Sequence, residues 1–411
     1  MGERLQEAAA LYSSLHVQTY ARKDVMFVAG EGMRLFDDEG REYLDFVSGL
    51  GVVNLGHSHP EVTRAVREQI GRLAHVSNLF YVEHQGEFLE AILEMAGSNL
   101  GGRLAGARVF LCNSGTEATE GAVKFARKWG RDVRGPDCFE VVTALRSFHG
   151  RTLAALAATG QPAKHEPFAP MPSGFSHVPL NDIAALEAVI GPGTCAVMLE
   201  PIQGEGGVYE ADPAYLQQVR ALCDERRVLL IMDEVQTGCW RTGSPLAHHR
   251  AGIEADIVTM AKALANGLPA GAVVASEEVA SALGYGDHGS TFAGGPVVCA
   301  AGLATLRALR RERLGENAAR VGAYAKERLG RLAGDGLPVK EVRGQGLMLG
   351  VELDGVSAAR VVDSALASGI VLNDIGDSIV RMLPPLCCTE EDVDAALDVL
   401  AECIERATGG E

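Results

Sequence analysis

The stretch of sequence that decides the fold is Val228-Leu229-Leu230-Ile231-Met232-Asp233-Glu234-Val235-Gln236. Five apolar residues run without polar alternation, and two carboxylates follow them directly. Such a run is typical of a strand that is covered on both faces, as in a parallel sheet. A carboxylate at its end is costly to bury without a partner, so Asp233 is a candidate functional residue. A helix cap or a structural salt bridge is the simpler explanation.

Further apolar runs on both sides of this stretch have the same character and alternate with amphipathic segments. They comprise residues 108–112, 140–144, 196–199, 257–260 and 272–275. Helices between strands imply parallel pairing, with helical layers on both faces of the sheet. The pattern predicts a large, doubly wound, mostly parallel α/β domain over residues 56–300.

The two ends of the chain have a different pattern. Short apolar segments with glycine turns precede residue 55, and helices with isolated strands follow residue 300. The predicted elements are strands at 26–29, 33–36, 43–46, 342–353, 369–372 and 378–382 and helices at 300–313, 316–333 and 390–406. We expect residues 1–55 to be the N-terminal segment of a smaller domain and residues 301–411 to form its α+β part.

The 411 residues carry a net charge of −17. This balance disfavours nucleic acid and anionic membrane surfaces, since both select for clustered Lys and Arg, but a small anionic ligand is compatible with it. No apolar run approaches the length of a bilayer span and residues 1–14 do not resemble a signal peptide, so a soluble, cytoplasmic protein is expected. The nine cysteines include no C-x-x-C pair and the histidines no H-E-x-x-H, so we expect buried reduced thiols and no metal site.

Two other strand ends carry residues that suit a cofactor. The run 108–112 is followed by Asn113-Ser114-Gly115-Thr116-Glu117, which opens a helix. Free backbone N–H groups and hydroxyls at a helix start suit a phosphate, although a plain helix cap explains the same residues. After 140–144 comes Ser147-Phe148-His149-Gly150-Arg151-Thr152, where Phe148 can stack on a flat ring and Arg151 can grip a carboxylate. An ordinary loop with a core aromatic residue and a surface arginine is the alternative.

Lys262 lies two residues beyond the run 257–260, among Met260, Ala261, Ala263, Leu264 and Ala265. An apolar environment lowers the pKa of a lysine and makes its amine a usable nucleophile and base, but alone this residue is more simply a lysine that snorkels from a helix start. The carboxyl ends of parallel strands, however, meet at one edge of a sheet, where ligands bind. A phosphate cradle, a stacking ring, an acidic partner for a ring nitrogen and a reactive lysine are together what pyridoxal 5′-phosphate (PLP) requires.

Longer motifs support that interpretation. They are Glu200-Pro201-Ile202-Gln203-Gly204-Glu205-Gly206-Gly207, Asp233-Glu234-Val235-Gln236-Thr237-Gly238 and Gly289-Ser290-Thr291-Phe292, together with residues 113–117 and Lys262. With these motifs the sequence resembles the class III, fold-type I, PLP-dependent aminotransferases over nearly its whole length. Residues 54–60, 75–81, 147–152 and 287–296 are most similar to the acetylornithine aminotransferase subgroup.

The resemblance implies roles in cofactor binding, residue by residue. Lys262 would join the cofactor covalently and Asp233 would pair with its ring nitrogen, as the two catalytic residues. The other cofactor contacts would be Ser114, Gly115 and Thr116 at the phosphate, Phe148 and Val235 on the two ring faces, Gln236 at the ring hydroxyl and Thr291 at the phosphate held by the partner subunit. The active unit implied is therefore a homodimer with shared active sites.

The resemblance also implies how substrates are recognised. The substrate-binding residues would be Tyr20, Asn78, Arg151, Glu205, Ser290 and Arg381. Arg151 would bind the α-carboxylate of the donor, while Glu205 neutralises Arg381 and releases it when 2-oxoglutarate brings a second carboxylate. Without such a switch, a free arginine would be a buried unpaired charge in the first half-reaction. The reaction implied is transfer of the δ-amine of N2-acetyl-L-ornithine to 2-oxoglutarate, a step of arginine biosynthesis.

Other functions fit parts of the same pattern. The carboxylate site suits other ω-amine donors: ornithine, succinylornithine, 4-aminobutyrate or a carrier-bound aminoadipate semialdehyde. A class III racemase or aminomutase would need Lys262 but not the pair of Glu205 and Arg381, and a catalytically silent PLP-binding regulatory protein would not need the intact set of cofactor residues. Cys239 and Trp240 stand where many relatives carry Phe-Gly, so we expect the bulk of Trp240 to alter the pocket and the choice of donor.

Overall fold

The computed structural model describes residues 2–97 and 101–408. The strands are β1 Phe27–Glu31, β2 Arg34–Asp37, β3 Glu42–Asp45, β4 Arg108–Cys112, β5 Glu140–Ala144, β6 Phe175–Val178, β7 Thr194–Leu199, β8 Ile202–Gln203, β9 Tyr209–Glu210, β10 Leu229–Asp233, β11 Ile257–Met260, β12 Gly271–Ala275, β13 Val339–Gln345, β14 Met348–Leu353, β15 Ile370–Val371, β16 Asn373–Ile375 and β17 Ile379–Met382. The helices are α1 Glu3–Leu15, α2 Ser48–Gly51, α3 Pro60–Ile70, α4 Gln85–Met95, α5 Gly115–Arg134, α6 Leu153–Ala158, α7 Ile183–Val189, α8 Pro213–Arg226, α9 Glu277–Ser281, α10 Pro296–Arg311, α11 Leu314–Gly334, α12 Ala358–Ala367 and α13 Glu390–Thr408. Positions 1 and 411, the outer limits of the predicted domains, lie outside the described residues.

A seven-stranded sheet forms the centre of the molecule, in the order β4-β12-β11-β10-β7-β5-β6. Strands β10, β11, β7, β5 and β6 run parallel to their neighbours within this group. Every residue of β7, β10, β11 and β12 is buried, which explains why these strands read as continuous apolar runs. The predicted doubly wound, mostly parallel α/β architecture is confirmed.

One part of the predicted pairing is wrong. Strand β12, which the pattern at 272–275 placed in parallel pairing, runs antiparallel to both β11 and β4. The connection from β11 to β12 contains only a 3₁₀ turn, Lys262–Ala265. A parallel return needs a crossover of about a dozen residues or more, so this short connection allows only the antiparallel direction. Strand β6 was not predicted, because Phe-Ser-His-Val lacks a continuous apolar run.

The two ends of the chain meet in smaller sheets. Strands β1, β2, β3 and β15 form one of them, in which Ile370 pairs in parallel with Leu44. Strands β13, β14, β17 and β16 form another, and Arg381 on β17 lies opposite Gly350 on one side and Asn373 on the other. The N-terminal strands are thus hydrogen-bonded to a strand from the last fifth of the chain.

The single strand expected at 342–353 is a hairpin, β13 and β14, with its turn at Gly346. Gly346 has a φ of +55°, in the left-handed region that favours glycine. A Cβ there would lie 2.6 Å from the backbone of Thr242, so the turn packs directly on the segment that follows β10. The sequence pattern did not predict this turn because apolar residues flank it on both sides.

Two of the expected absences can be examined in the part of the chain that the structure describes. No helix within residues 2–97 and 101–408 combines the length and the apolar character needed to cross a bilayer. No group of His, Cys, Asp and Glu side chains in these same ranges is arranged to hold a metal ion. All nine cysteines are free, and eight of them are buried.

Candidate active site

A cavity of about 260 Å³ opens where β4, β5, β7, β10 and β11 end. It is lined by Gly115, Thr116, Phe148, His149, Gly150, Arg151, Glu200, Ile202, Glu205, Asp233, Val235, Gln236, Thr237 and Lys262. Segments that are far apart in sequence therefore meet at one edge of the sheet, where parallel α/β folds bind their ligands. Nine of the predicted site residues line this cavity: Gly115, Thr116, Phe148, Arg151, Glu205, Asp233, Val235, Gln236 and Lys262.

The start of helix α5 forms one wall of the cavity. Ser114 is the N-cap, and its hydroxyl accepts a hydrogen bond from the N–H of Glu117 at 3.3 Å. A Cβ on Gly115 would lie 2.7 Å from Cγ1 of Val235, so only glycine leaves the backbone open here. The Thr116 hydroxyl accepts hydrogen bonds from the N–H groups of Arg151 and Thr152, at 3.3 and 3.2 Å. These contacts join a helix N-terminus, which attracts anions, to the loop that carries Phe148.

Asp233 ends β10 and is 4% exposed. Its Oδ1 accepts hydrogen bonds from the Val235 N–H and the Thr259 hydroxyl, both at 3.1 Å. Its Oδ2 lies 2.7 Å from Nδ1 of His149, a buried residue of the Phe148 loop. Burial lowers the pKa of His149, but its hydrogen bond to Asp233 and the charge of that carboxylate outweigh this and raise it. The carboxylate is thereby fixed in orientation beside the cavity.

Lys262 follows β11 with a φ of +43°, which is uncommon for a residue with a Cβ. This turn of the backbone brings the side chain into the cavity instead of along the strand. Burial lowers the pKa of its amine to about 8, with the charge of Arg381 acting in the same direction and that of Glu205 opposing it. Roughly a tenth of the amine is therefore unprotonated at pH 7, and this form is able to act as a nucleophile and base.

Arg381 and Glu205 form an ion pair beside this lysine, with Nη1 2.6 Å from Oε1. Arg381 is 1% exposed, and Oδ1 of Asn373 accepts hydrogen bonds from its Nε and Nη2 at 2.9 and 2.6 Å. Burial raises the pKa of Glu205, but the charges of Arg381 and Lys262 outweigh it and lower that pKa to about 2. The Gln236 amide also donates to Glu205, at 3.3 Å. The arginine is thus fully neutralised in this structure.

Glu200 and His149 belong to motifs noted in the sequence, but the sequence did not predict a role for either residue in the site. Glu200 lines the cavity, and its Oε2 accepts a hydrogen bond from the N–H of Phe148 at 2.9 Å. Burial raises the pKa of Glu200 well above its usual value. The sequence signal for both was their place at a strand end, directly beside predicted site residues. Only the tertiary structure shows that both contact the elements that would enclose a cofactor.

Five predicted substrate or cofactor residues do not line the cavity of this chain: Tyr20, Asn78, Ser290, Thr291 and Arg381, the last of which contacts the lining residue Glu205. Tyr20 is 70% exposed, and Thr291 also lies on the surface. The Asn78 amide donates a hydrogen bond to the Ala293 carbonyl at 2.8 Å. The segments around Asn78 and Ala293 therefore lie against each other. Ser114 also lies outside the lining, as the cap of α5.

The expected effect of Trp240 on the pocket is not found, because Trp240 does not line the cavity. Both Cys239 and Trp240 have positive φ, at +53° and +62°. The indole packs on Gly315, where a Cβ would lie 3.0 Å from its Cγ, and faces a separate groove between α4 and α10. The indole of Trp240 therefore takes no direct part in the lining of the active cavity.

Known proteins are similar over nearly the entire chain. The family model for class III aminotransferases matches residues 18–404. Acetylornithine aminotransferase of Methanocaldococcus jannaschii is 44% identical over 392 residues, which cover 95% of this chain and 96% of the relative. The acetylornithine aminotransferase of Gloeobacter violaceus is 46% identical over 391 residues, which also cover 95% of this chain and 96% of the relative. A structure of ornithine aminotransferase from Toxoplasma gondii, crystallised with oxidised glutathione and with PLP at partial occupancy in its active site, has a TM-score of 0.92 at 34% identity and covers 98% of this chain and 95% of that one.

Proposed function

This chain belongs to the class III aminotransferases, and on that premise we propose that it transfers the δ-amino group of N2-acetyl-L-ornithine to 2-oxoglutarate. The products are N-acetylglutamate 5-semialdehyde and glutamate. The observation that carries the proposal is the closed ion pair of Glu205 and Arg381 beside the cavity that holds Lys262. Relatives named acetylornithine aminotransferase at 44% and 46% identity support the choice of donor.

PLP is the cofactor of this class, and the residues around the cavity fit it. The backbone at Gly115 is open to a phosphate because glycine lacks the Cβ that would meet Val235 at 2.7 Å, and the carboxyl group of Asp233 suits a protonated ring nitrogen. We assign the phosphate to the start of α5, the ring to the space between Phe148 and Val235, and the ring hydroxyl to Gln236. When bound, PLP supplies an electron sink for the negative charge that develops at the reacting carbon.

Lys262 has two tasks in this proposal. Its unprotonated amine holds the cofactor and, once displaced by the donor, removes the proton from the amine-bearing carbon of the substrate. A pKa of about 8, lowered by burial, leaves roughly a tenth of the amine unprotonated at pH 7, far more than an ordinary lysine would have. Asp233, oriented by His149 and Thr259, keeps the ring nitrogen protonated throughout.

The two substrates differ in the number of carboxylates that they carry. The site offers one arginine for the first carboxylate and a second arginine, paired with a glutamate, for the other. Arg151 at the mouth binds the donor carboxylate that is remote from the reacting amine. Arg381 is paired with Glu205 while this donor is bound, so no unpaired charge is buried. When 2-oxoglutarate binds, Glu205 swings away and Arg381 binds the second carboxylate. Glu205 is 28% exposed along its side chain, which leaves it space to move.

A panel of amine donors with 2-oxoglutarate tests the choice of substrate, with Glu205→Gln as the matched variant. We expect N-acetylornithine to give the highest rate of glutamate formation among acetylornithine, ornithine, succinylornithine and 4-aminobutyrate. In Glu205→Gln, Arg381 loses its neutralising partner, and the KM for N-acetylornithine should rise about tenfold because a buried charge is left unpaired. The KM for 2-oxoglutarate should change less than twofold.

The cofactor absorbance of Glu205→Gln serves as the control, since the variant keeps every proposed cofactor contact. A donor other than N-acetylornithine at the top of the panel would replace the proposed substrate and leave the aminotransferase assignment intact. No glutamate with any donor would favour a silent PLP-binding protein. Loss of cofactor absorbance in Glu205→Gln would assign Glu205 a structural role and remove the switch.

We also propose that the chain acts as a homodimer in which Thr291 contacts the phosphate in the partner subunit. Thr291 does not line the cavity of its own chain. It lies beside a cluster of large exposed apolar side chains, of a kind that marks interfaces: Leu79, Phe80, Tyr81 and Phe292. Light scattering should give twice the chain mass, and Thr291→Ala should raise the dissociation constant for PLP about tenfold. A monomer that binds PLP as tightly as other members of its class would contradict this.

In the same proposal, residues 56–300 form the large domain, and residues 1–55 and 301–411 form the smaller one. The pairing of Ile370 with Leu44 supports this division, since it joins the two ends of the chain. Lys262 lines the cavity from the larger domain, and Arg381 of the smaller domain contacts the lining residue Glu205. Closure between the two would bring both groups onto a bound substrate.

A further inference from the structure

Two cations converge on the aromatic ring at the mouth of the cavity. The guanidinium carbon of Arg151 lies 5.6 Å from the centre of the Phe148 ring, and Nζ of Lys164 lies 5.2 Å from it. Arg151 follows Phe148 in the same loop, whereas Lys164 ends a 3₁₀ turn, Pro162–Lys164, that packs against that loop. Two positive groups from separate segments therefore lie beside the same ring, Arg151 among the residues that line the cavity and Lys164 outside them.

Lys164 is held in this position by the loop itself. Its ammonium group donates a hydrogen bond to Oε1 of Gln161 at 2.5 Å. The Gln161 amide in turn donates to the carbonyls of Ser147 and Arg146, at 3.0 and 3.4 Å. An ammonium group has three donors, and this contact uses one of them. The position of the charge is thus fixed by the fold, while donors are left for another ligand.

Neither cation has an anionic partner among the described residues. Throughout residues 2–97 and 101–408, no carboxylate forms an ion pair with the side chain of Arg151 or Lys164, in a chain whose net charge is −17. Burial lowers the pKa of Lys164, and the charge of Arg151 lowers it further, while that of Glu205 opposes both. Like charges that a fold holds together without a counter-ion are stabilised when an anion binds between them.

We propose that Lys164 is a second substrate-binding cation, which acts with Arg151 on the carboxylate at the remote end of the amino donor. The inference rests on the proposed function and deepens it, because Lys164 was not among the residues assigned to substrate. An arginine gives a planar fork and a lysine a compact charge, so the two together surround a carboxylate from different sides. A donor without a carboxylate at this end would gain no binding affinity from Arg151 or Lys164.

The test is binding of unreactive ligands to the PLP-loaded enzyme by calorimetry. N2-acetyl-L-norvaline has the carbon chain and carboxylate of N-acetylornithine but lacks the reacting amine, and N-butylacetamide also lacks the carboxylate. In Lys164→Met we expect the dissociation constant for N2-acetyl-L-norvaline to rise about tenfold, since the carboxylate loses a hydrogen bond to a charged group. The constant for N-butylacetamide should change less than twofold, and Lys164→Arg should restore most of the affinity for the carboxylate.

Lys128→Met is the matched control, because Lys128 pairs with Asp132 on the outer part of α5. It should bind both ligands as the unmodified enzyme does. Equal binding of N2-acetyl-L-norvaline by Lys164→Met and the unmodified enzyme would overturn the inference. Equal weakening of both ligands, or a changed cofactor absorbance, would show that Lys164 only supports Phe148 and would overturn it as well. If the donor panel rejects N-acetylornithine while the carboxylate still depends on Lys164, the proposed donor falls and this inference stands.

Discussion

Replacement of Lys262 by alanine is expected to lower kcat by roughly 10⁴-fold or more, the largest effect of any single substitution in this chain. Its amine is proposed both to hold the cofactor and to move the proton at the reacting carbon. General acid–base catalysis alone contributes about 10²–10⁴-fold, and the nucleophile is lost with it. The measurement is the rate of glutamate formation, together with the visible absorbance that the lysine-bound cofactor gives. A Lys262→Ala enzyme that keeps this absorbance would refute the assignment.

The pH dependence of cofactor uptake gives an independent check on Lys262. Burial lowers the pKa of its amine from an ordinary 10.5 to about 8. Below that value the amine is protonated and unreactive, so the rate at which cofactor-free enzyme takes up PLP should rise about tenfold per pH unit. Above about pH 8 the rate should level off, whereas an unperturbed lysine would let it climb for about two more units. Lys262→Arg, protonated at every accessible pH, should show no such rise.

Arg241→Met is expected to destabilise the fold by roughly 3–5 kcal/mol, because it removes a buried cation on which several acceptors depend. Arg241 is 0% exposed. Its guanidinium donates hydrogen bonds to the carbonyls of Leu347 and Pro384 and to the side chains of Asn54 and Ser48. Methionine fills a similar volume but leaves these acceptors without a donor.

The acceptors of Arg241 come from both ends of the chain, so its loss should loosen the contact between the N-terminal segment and strands near the C-terminus. The measurement is the midpoint of chemical denaturation, compared with Arg131→Met as the control. Arg131 is exposed, and its loss should change stability by less than about 0.5 kcal/mol. Equal midpoints for the two variants would contradict the assigned role. Arg241→Lys should lie between them, because a single ammonium group cannot reach all four acceptors.

Much of the central fold could be predicted because strands buried on both faces leave a direct trace in the sequence. The runs at 108–112, 140–144 and 257–260 match observed strands to the residue. Strand β6 could not be found this way, since it lies at the sheet edge with His177 and Ser176 among its four residues. The direction of β12 was also missed, because direction depends on the length of a connection and not on the strand itself.

The residues of the candidate site could likewise be predicted only in part. Asp233 and Lys262 could be singled out because each is a charged residue directly after an apolar strand, where burial is costly without a function. The partnership of Asp233 with His149 could not, since 84 residues separate them and only the sheet brings them within 2.7 Å. Lys164 left no sequence signal either. In the sequence it cannot be distinguished from an ordinary surface lysine. Only its position beside the Phe148 ring and Arg151 indicates a role in binding.

By itself the sequence determined the family, the cofactor and the layered α/β architecture, because these depend on local apolar runs and on motifs that keep their order along the chain. The tertiary structure decided how the other buried or clustered charges are accommodated, while it agrees with the pair of Glu205 and Arg381 that the resemblance implied. Buried Arg241 donates hydrogen bonds to uncharged acceptors only, whereas Arg151 and Lys164 have no carboxylate partner among residues 2–97 and 101–408. The physical reason is that an ion pair depends on distances of a few ångströms between side chains from different elements, and apolar periodicity carries no information about them.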